Sequence, residues 1–338
     1  MLAYYVQAPM HFELREEDVG ELAPDEALVA VKACGVCGWD VLVASHVATD
    51  WMGIGHEFSG QVVAVGSAVS AFAPGDAVVV ENSTFCGICR HCKNGDVIHC
   101  TNLLHYLSPG AFAEVVKVKA QSLYPIGDLD FEAAALAEPL TVAIDMVEAA
   151  DVPLSSTVVV FGPGPIGLMI AKVAKLAGAG KVYLTGFAHS TRRWQAARSL
   201  GIDELVFIDK VDVREYFGAA EPEGVDRVLV TSPPASVADA IAIARFGGII
   251  AYNGIKFGES QQINLDGNDF HFKRLQLRGV HSIPNLGWPK ALDLLRRREI
   301  DPADFVTHRY GFDQVPEAVK FAAENRTDTV KVMVRWDI

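Results

Sequence analysis

Four cysteines, Cys86, Cys89, Cys92 and Cys100, follow the spacing C-x2-C-x2-C-x7-C within fifteen residues. Four thiolates packed so closely can surround one tetrahedral ion, and Zn²⁺ is the metal whose closed structural sites are built that way. Such a site leaves no open coordination position, so it stabilises and does no chemistry. The other two cysteines, Cys34 and Cys37, lie upstream, and Gly55-His56-Glu57 follows 19 residues after Cys37. A Cys/His pair with a neighbouring carboxylate is an incomplete metal constellation of the kind that keeps a position open for substrate. One structural and one working zinc are therefore expected.

A second chemical signal lies at Gly162-Pro163-Gly164-Pro165-Ile166-Gly167. A lone G-x-G-x-x-G is weak, but this one follows the β-branched run Thr157 to Phe161 and opens a helical stretch, Ile166 to Ala177. In that setting the glycines provide a tight turn, close approach of a pyrophosphate and helix–strand packing, with the helix N-terminus facing the phosphates. A NAD-binding unit usually shows an acid about 20 residues on. Here the stretch reads Thr185-Gly186-Phe187-Ala188-His189-Ser190-Thr191-Arg192-Arg193, with hydroxyls and bases and no acid. A 2′-phosphate suits that chemistry, so NADP(H) is favoured over NAD(H), with His189, Ser190, Arg192 and Arg193 beside it.

The elements that must carry these residues change character along the chain. Residues 27–33, 58–65, 77–81 and 111–118 read as short alternating strands with turn punctuation, which predicts a β-rich, barrel-like unit. Residues 131–138 and 142–150 read as helical. Strands at 157–161, 181–185, 205–208, 225–230 and 248–252 then alternate with helices, such as 192–200 and 237–245, which predicts a doubly wound parallel sheet. Helices at 288–299 and 316–325 and a strand at 330–336 close the chain. That tail is too short for a domain and is expected to fold back onto the first.

Composition narrows the class. The chain has 338 residues, half of them hydrophobic, and a formal net charge of −13, which argues against nucleic-acid and anionic-membrane partners. No apolar run reaches the roughly 20 residues of a membrane span, and the first residues lack the pattern of a signal peptide. Six cysteines, four of them in metal spacing, suit a reducing cytoplasm.

The chain resembles the zinc-dependent alcohol dehydrogenases of the medium-chain dehydrogenase/reductase superfamily. The resemblance rests on C-G-V-C-G-W-D (34–40), G-H-E-F-S-G (55–60), the cysteine quartet, A-E-P-L (137–140) and G-P-G-P-I-G (162–167). A-E-P-L is similar to the polyol branch of sorbitol and threonine dehydrogenases. The resemblance implies an α/β fold: a GroES-like catalytic domain over 1–143 and 282–338 with a zinc lobe at about 84–102, and a Rossmann domain over 144–281. It implies Cys37, His56 and Glu138 around the catalytic zinc, with Glu57 able to enter or leave the metal shell. Asp40 would accept the His56 N–H and fix its tautomer. Cys34 has no ligand role and reads as a small buried hydrophobe.

The implied reaction is hydride transfer between a secondary alcohol of a polyol, sugar or cyclitol, or the matching ketone, and a nicotinamide cofactor. The implied assembly is a homodimer or homotetramer. One position departs from the family. Ser or Thr usually follows the Cys-Gly pair and starts a proton relay, whereas Trp39 stands here and its indole accepts no proton. Trp39 is expected to shape the substrate pocket, and His46, Glu57 or Glu138 to provide another proton route. Two rivals remain at this stage: a primary-alcohol or aldehyde reductase, and a zinc- and cofactor-binding sensor without turnover.

Overall fold

The computed structural model describes residues 1–105 and 109–337. The chain divides into two compact units, Met1–Thr141 with Ile283–Ile338, and Val142–Ser282.

The first unit is built on a seven-stranded sheet. Its path runs Leu123–Pro125, Ala77–Val80, Glu57–Val65, Glu26–Gly35, Lys331–Arg335 and Val306–Gly311, and Val115–Lys119 also pairs with Glu26–Gly35. A smaller sheet joins His11–Glu16, Leu2–Gln7 and Met52–Gly53. The alternation in Glu26–Gly35 places Ala27, Val29 and Val31 inward, where they meet Phe58, Val62, Phe112, Val116 and Val334. This is the period-2 burial of a sheet facing one core. Both ends of the chain thus contribute strands to the same sheet.

Glu81 follows strand Ala77–Val80 and is buried, accepting a hydrogen bond from the Asn285 amide at 3.3 Å. Burial pushes its carboxyl from 4.5 up to about 7, opposed by the Asn285 and Thr84 hydrogen bonds. The folded pKa lies above the unfolded one, so the unfolded chain releases its proton first as pH rises. Stability is therefore lost between about pH 4.5 and 7. Glu81→Gln should leave stability nearly unchanged at pH 5 and raise it by roughly 3 kcal/mol at pH 8. Urea unfolding at the two pH values checks this, and parallel pH curves for variant and parent would refute it.

The second unit is a six-stranded sheet in the order Glu204–Phe207, Lys181–Gly186, Thr157–Phe161, Val225–Val230, Ala244–Tyr252 and Gln276–Gly279. Every neighbouring pair is parallel. Read in chain order the path is 3-2-1-4-5-6, the arrangement of a dinucleotide-binding sheet. Its core gathers Val159, Tyr183, Phe217, Val228, Ile241 and Ile250.

Several elements differ from the sequence reading. The strand expected over 111–118 is Val115–Lys119, because Ala113 makes only an isolated bridge to Ala3. The helix expected over 237–245 is Ser236–Ile243, and the strand starts at Ala244. Strands Gln276–Gly279 and Val306–Gly311 were not anticipated; the first lies at a sheet edge and carries little apolar alternation. The stretch after Cys37 forms helix Gly38–Leu42 and a π-helical turn, Val43–Val47. No helix among the described residues is long and apolar enough to cross a membrane.

Candidate metal centres and dinucleotide site

Cys37 leaves strand Glu26–Gly35 and caps helix Gly38–Leu42. Its Sγ accepts from the Trp39 amide at 3.4 Å, and its own amide donates to Asp40 Oδ2 at 2.9 Å. That reciprocal pair is a capping box in which a thiol sulfur replaces the usual hydroxyl. Asp40 is buried, and its Oδ1 also accepts from the Gly55 amide at 3.0 Å and faces His56 Nδ1 at 3.3 Å. One carboxylate therefore ties the Cys37 turn to the His56 turn. Burial alone would push the Asp40 carboxyl up, but His56 and the two amides outweigh it and hold it below the usual range.

Cys37, His56 and Glu57 each offer a ligand atom, all within 4.8 Å of one another. Burial opposes the His56 cation, yet Asp40 and Cys37 hold its pKa well above the ordinary value. Burial pushes the Cys37 thiol up, opposed by His56, and the S/N/O donor set of Cys37, His56 and Glu57 fits zinc. Glu138 lies outside that 4.8 Å group. It sits in the first turn of helix Ala137–Ala149, buried, with Oε1 accepting from Asn82 Nδ2 at 3.2 Å. Burial pushes its carboxyl up to about 7, and it feels the charges of His56, Glu57, Lys331 and Asp40.

A residue the sequence reading missed is Lys331. Its ammonium, buried behind the site, donates to Glu57 Oε1 and Oε2 at 2.7 and 2.6 Å and to the Val36 carbonyl at 3.3 Å. A side chain at Gly35 would collide with Glu57 Oε2, so the facing strand leaves that space open for the carboxylate. Cys34 is fully buried, as its reading as a small hydrophobe required, and burial pushes its thiol well above the ordinary value. Trp39 is 41 % exposed on the helix beyond Cys37, and His46 is exposed on the π-helical turn.

The quartet occupies a lobe in which no residue from 85 to 104 is buried. Without an apolar core, such a lobe needs a metal to fold. Its sulfurs lie 3.4 Å apart for Cys89–Cys92, 3.6 Å for Cys86–Cys100 and 4.0 Å for Cys86–Cys92 and Cys89–Cys100. A tetrahedron with Zn–S bonds of about 2.3 Å has edges of about 3.8 Å, so the four sulfurs fit one zinc ion. The four thiols hydrogen-bond one another, and the backbone amides of Ile88 and Cys89 hold Cys86 below the ordinary thiol range.

In the second unit, Gly162 turns at φ +108° between strand Thr157–Phe161 and helix Pro165–Leu176. A side chain at Gly167 would run into the Gly162 carbonyl, whereas one at Gly164 would meet nothing within 4 Å. The third glycine thus packs the helix on the turn, and the second leaves open space beside the helix N-terminus, where a pyrophosphate fits. Pro165 and Ile166 form the first helical turn. At the end of strand Lys181–Gly186, a Cβ on Gly186 would lie 2.5 Å from Pro163 Cγ and 3.0 Å from Trp194. No acid grows from that position. The following loop is held by Asp209, which accepts from the Ala188 amide at 2.7 Å, and by His189 stacked on Phe187 at 5.5 Å. Ser190 is buried ahead of helix Thr191–Ser199, which carries the exposed Arg192 and the half-buried Arg193.

Residues 23–128 match the family model of the alcohol dehydrogenase GroES-like domain, and residues 165–297 that of the zinc-binding dehydrogenases. The chain is 31 % identical to a sorbitol dehydrogenase of Bacillus subtilis over 94 % of its own length and 92 % of the relative's. It belongs to the zinc-dependent medium-chain dehydrogenase/reductase family. An L-threonine 3-dehydrogenase of Rhizobium johnstonii is 33 % identical over 94 % of this chain and 93 % of that protein. Both relatives place the chain in the polyol branch of that family. A solved structure from Sinorhizobium meliloti, assigned as a zinc-binding dehydrogenase and bound to NADP, superposes with a TM-score of 0.88. It shares 30 % identity over 99 % of this chain and 98 % of that one. This dehydrogenase therefore uses zinc and a nicotinamide cofactor on a small alcohol or ketone.

Asp40 offers a direct test of how the dehydrogenase orients its histidine. Asp40→Asn keeps the shape but loses the charge facing His56 Nδ1, so a zinc ion held by Cys37 and His56 should bind about 10–100-fold more weakly in the variant. Competition with a chelator measures it. Unchanged chelator resistance would remove Asp40 from that role.

Proposed function

We propose that the enzyme interconverts a secondary alcohol of a polyol, sugar or cyclitol with its ketone, favouring NADP(H), and carries two zinc ions per chain. The observation that carries this reading is the anionic pocket of Cys37, His56 and Glu57 on one unit, with a glycine cradle on the other. Cys37 Sγ and His56 Nε2 would hold the catalytic ion, since His56 Nδ1 is committed to Asp40. Glu138 would join the shell directly or through water. The zinc supplies Lewis acidity at the reacting oxygen and the nicotinamide takes or gives the hydride.

Trp39 leaves no hydroxyl to start a proton relay, so the proton passes to a carboxylate. Glu138, buried and accepting from Asn82 Nδ2, would take it, directly or through a water on the zinc. Glu57 is less suited, because both of its oxygens are taken by Lys331. The exposed His46 remains the alternative route, and Trp39 forms an apolar wall suited to the carbon face of a polyol.

The C3 hydroxyl of threonine, named for one relative, is a secondary alcohol, and sorbitol, named for another, is a polyol that carries secondary hydroxyls. They support the polyol reading over a primary-alcohol reductase or a silent sensor. NADP(H) preference is supported by Gly186, by the basic and hydroxyl groups of Ser190, Arg192 and Arg193, and by the NADP named for the S. meliloti protein. The quartet would be purely structural. Exposed Ile88 and Ile98 on its lobe, at 72 % and 49 %, support a subunit contact in a homodimer or homotetramer. Six cysteines without a disulfide support a reducing cytoplasm.

The decisive experiment follows absorbance at 340 nm across polyols, sugars and primary alcohols with both cofactors. Turnover of secondary alcohols with a lower KM for NADP⁺ is expected. Preference for primary alcohols would overturn the substrate class, and cofactor binding without turnover would restore the sensor.

A further inference from the structure

We propose that His91, Asp96 and His99 form a third divalent-metal site, of open and exchangeable type, on the outer face of the quartet lobe. His91 lies on the helical turn Arg90–Lys93 and His99 on the 3-10 turn Val97–His99, with Asp96 in the connection between them. Asp96 Oδ2 lies 3.2 Å from His91 Nδ1, and Asp96 Oδ1 lies 2.7 Å from His99 Nδ1. One ligand atom from each residue falls within 4.8 Å of the other two. Metal–nitrogen and metal–oxygen bonds of about 2.0–2.2 Å give N···O edges of about 2.8–3.6 Å in tetrahedral or octahedral shells. The two contacts are close to such edges, so an ion could replace the hydrogen bonds with small adjustments.

The backbone holds the three residues ready. The Asp96 amide donates to the His91 carbonyl at 3.0 Å, and the His99 amide to the Asp96 carbonyl at 3.3 Å. Cys89 and Cys92 flank His91, and Cys100 follows His99, so a zinc ion in the quartet fixes both turns from the other side. Preorganisation of this kind lowers the ordering cost of a second ion. Two imidazoles and one carboxylate select borderline ions, Zn²⁺, Ni²⁺ or Cu²⁺, over Mg²⁺ or Ca²⁺. Side-chain exposures of 41 %, 44 % and 64 % for His91, Asp96 and His99 leave the remaining positions to water. Binding is therefore expected in the micromolar range. An ion there would clamp the two turns that carry Cys89, Cys92 and Cys100.

The test is equilibrium dialysis of the zinc-loaded enzyme against micromolar Zn²⁺, with bound metal counted and Tm recorded. The parent should bind one equivalent beyond its tight zinc, with a rise in Tm. His99→Gln, altering the most exposed of the three, should weaken that equivalent roughly tenfold or more and abolish the Tm rise, with tight zinc and turnover unchanged. Asp96→Asn should do the same, so the test does not depend on one variant folding. No extra equivalent in the parent, or equal binding in both variants, which would mean an adventitious ion only, overturns the proposal. Fewer than two tight zinc ions in the parent would count against the two-zinc reading and leave the third-site comparison intact.

Discussion

Lys331→Met is expected to destabilise the enzyme by about 3–5 kcal/mol, the usual cost of stripping one partner from a buried ion pair. Lys331 and Glu57 are 3 % and 1 % exposed, and the ammonium spends its donors on both Glu57 oxygens and the Val36 carbonyl. Methionine fills much of the same volume, so the loss comes mainly from a carboxylate left in a sealed pocket with no counter-charge. Lys331→Met combined with Glu57→Gln removes both charges and should recover most of the loss. The single-variant penalty should also be larger after zinc removal, because a bound cation near Cys37 and His56 gives Glu57 a second partner. Urea unfolding of the three proteins, loaded and stripped, measures all of this. A single-variant loss under about 1 kcal/mol, typical of exposed pairs, would show that water reaches Glu57.

Cys37→Ala should lower kcat/KM by about 10³-fold or more, because Lewis-acid stabilisation is worth several kcal/mol and each 1.36 kcal/mol is tenfold. The variant should keep the quartet's zinc and unfold near the parent's Tm. Cys89→Ala should show the opposite pattern, with a lower Tm and one zinc lost, while folded molecules still turn over. Metal analysis, Tm and initial rates on the two variants separate the centres. If both variants lost activity and stability together, the division into a working and a structural zinc would fail.

What could be read from the sequence was local in the chain. The quartet lies within fifteen residues, so spacing alone exposed it, whereas Asp40, on one helical turn with Cys37, came only with the family resemblance. The parallel sheet was legible because its inner strands are continuous runs such as Thr157–Phe161, buried on both faces. Edge strand Gln276–Gly279, half exposed along its length, gave no such signal. Lys331 was hidden for a related reason. In Val330-Lys331-Val332-Met333-Val334 a lysine reads as the solvent face of an alternating strand, yet residues 331–334 are all buried. Its only sequence hint is a lone charge in an apolar closing strand. Asp209 was missed as well, because only folding carries it from beyond the next strand to the Ala188 amide.

The shared sheet also sets an order of events during synthesis. Glu57 and Lys331 lie 274 residues apart in the chain. At roughly 5–20 residues per second, Glu57 waits on the order of 15–55 s for its counter-ion to leave the ribosome. Residues 142–282 are complete well before that, so the dinucleotide half can fold while the catalytic half still lacks strands Val306–Gly311 and Lys331–Arg335. A message cut short upstream of Lys331 would thus yield a molecule with a finished cofactor fold and an open sheet in its other half, where Glu57 lacks its counter-ion. Until that last strand is made, Glu57 stands without its Lys331 partner and the sheet without two of its strands.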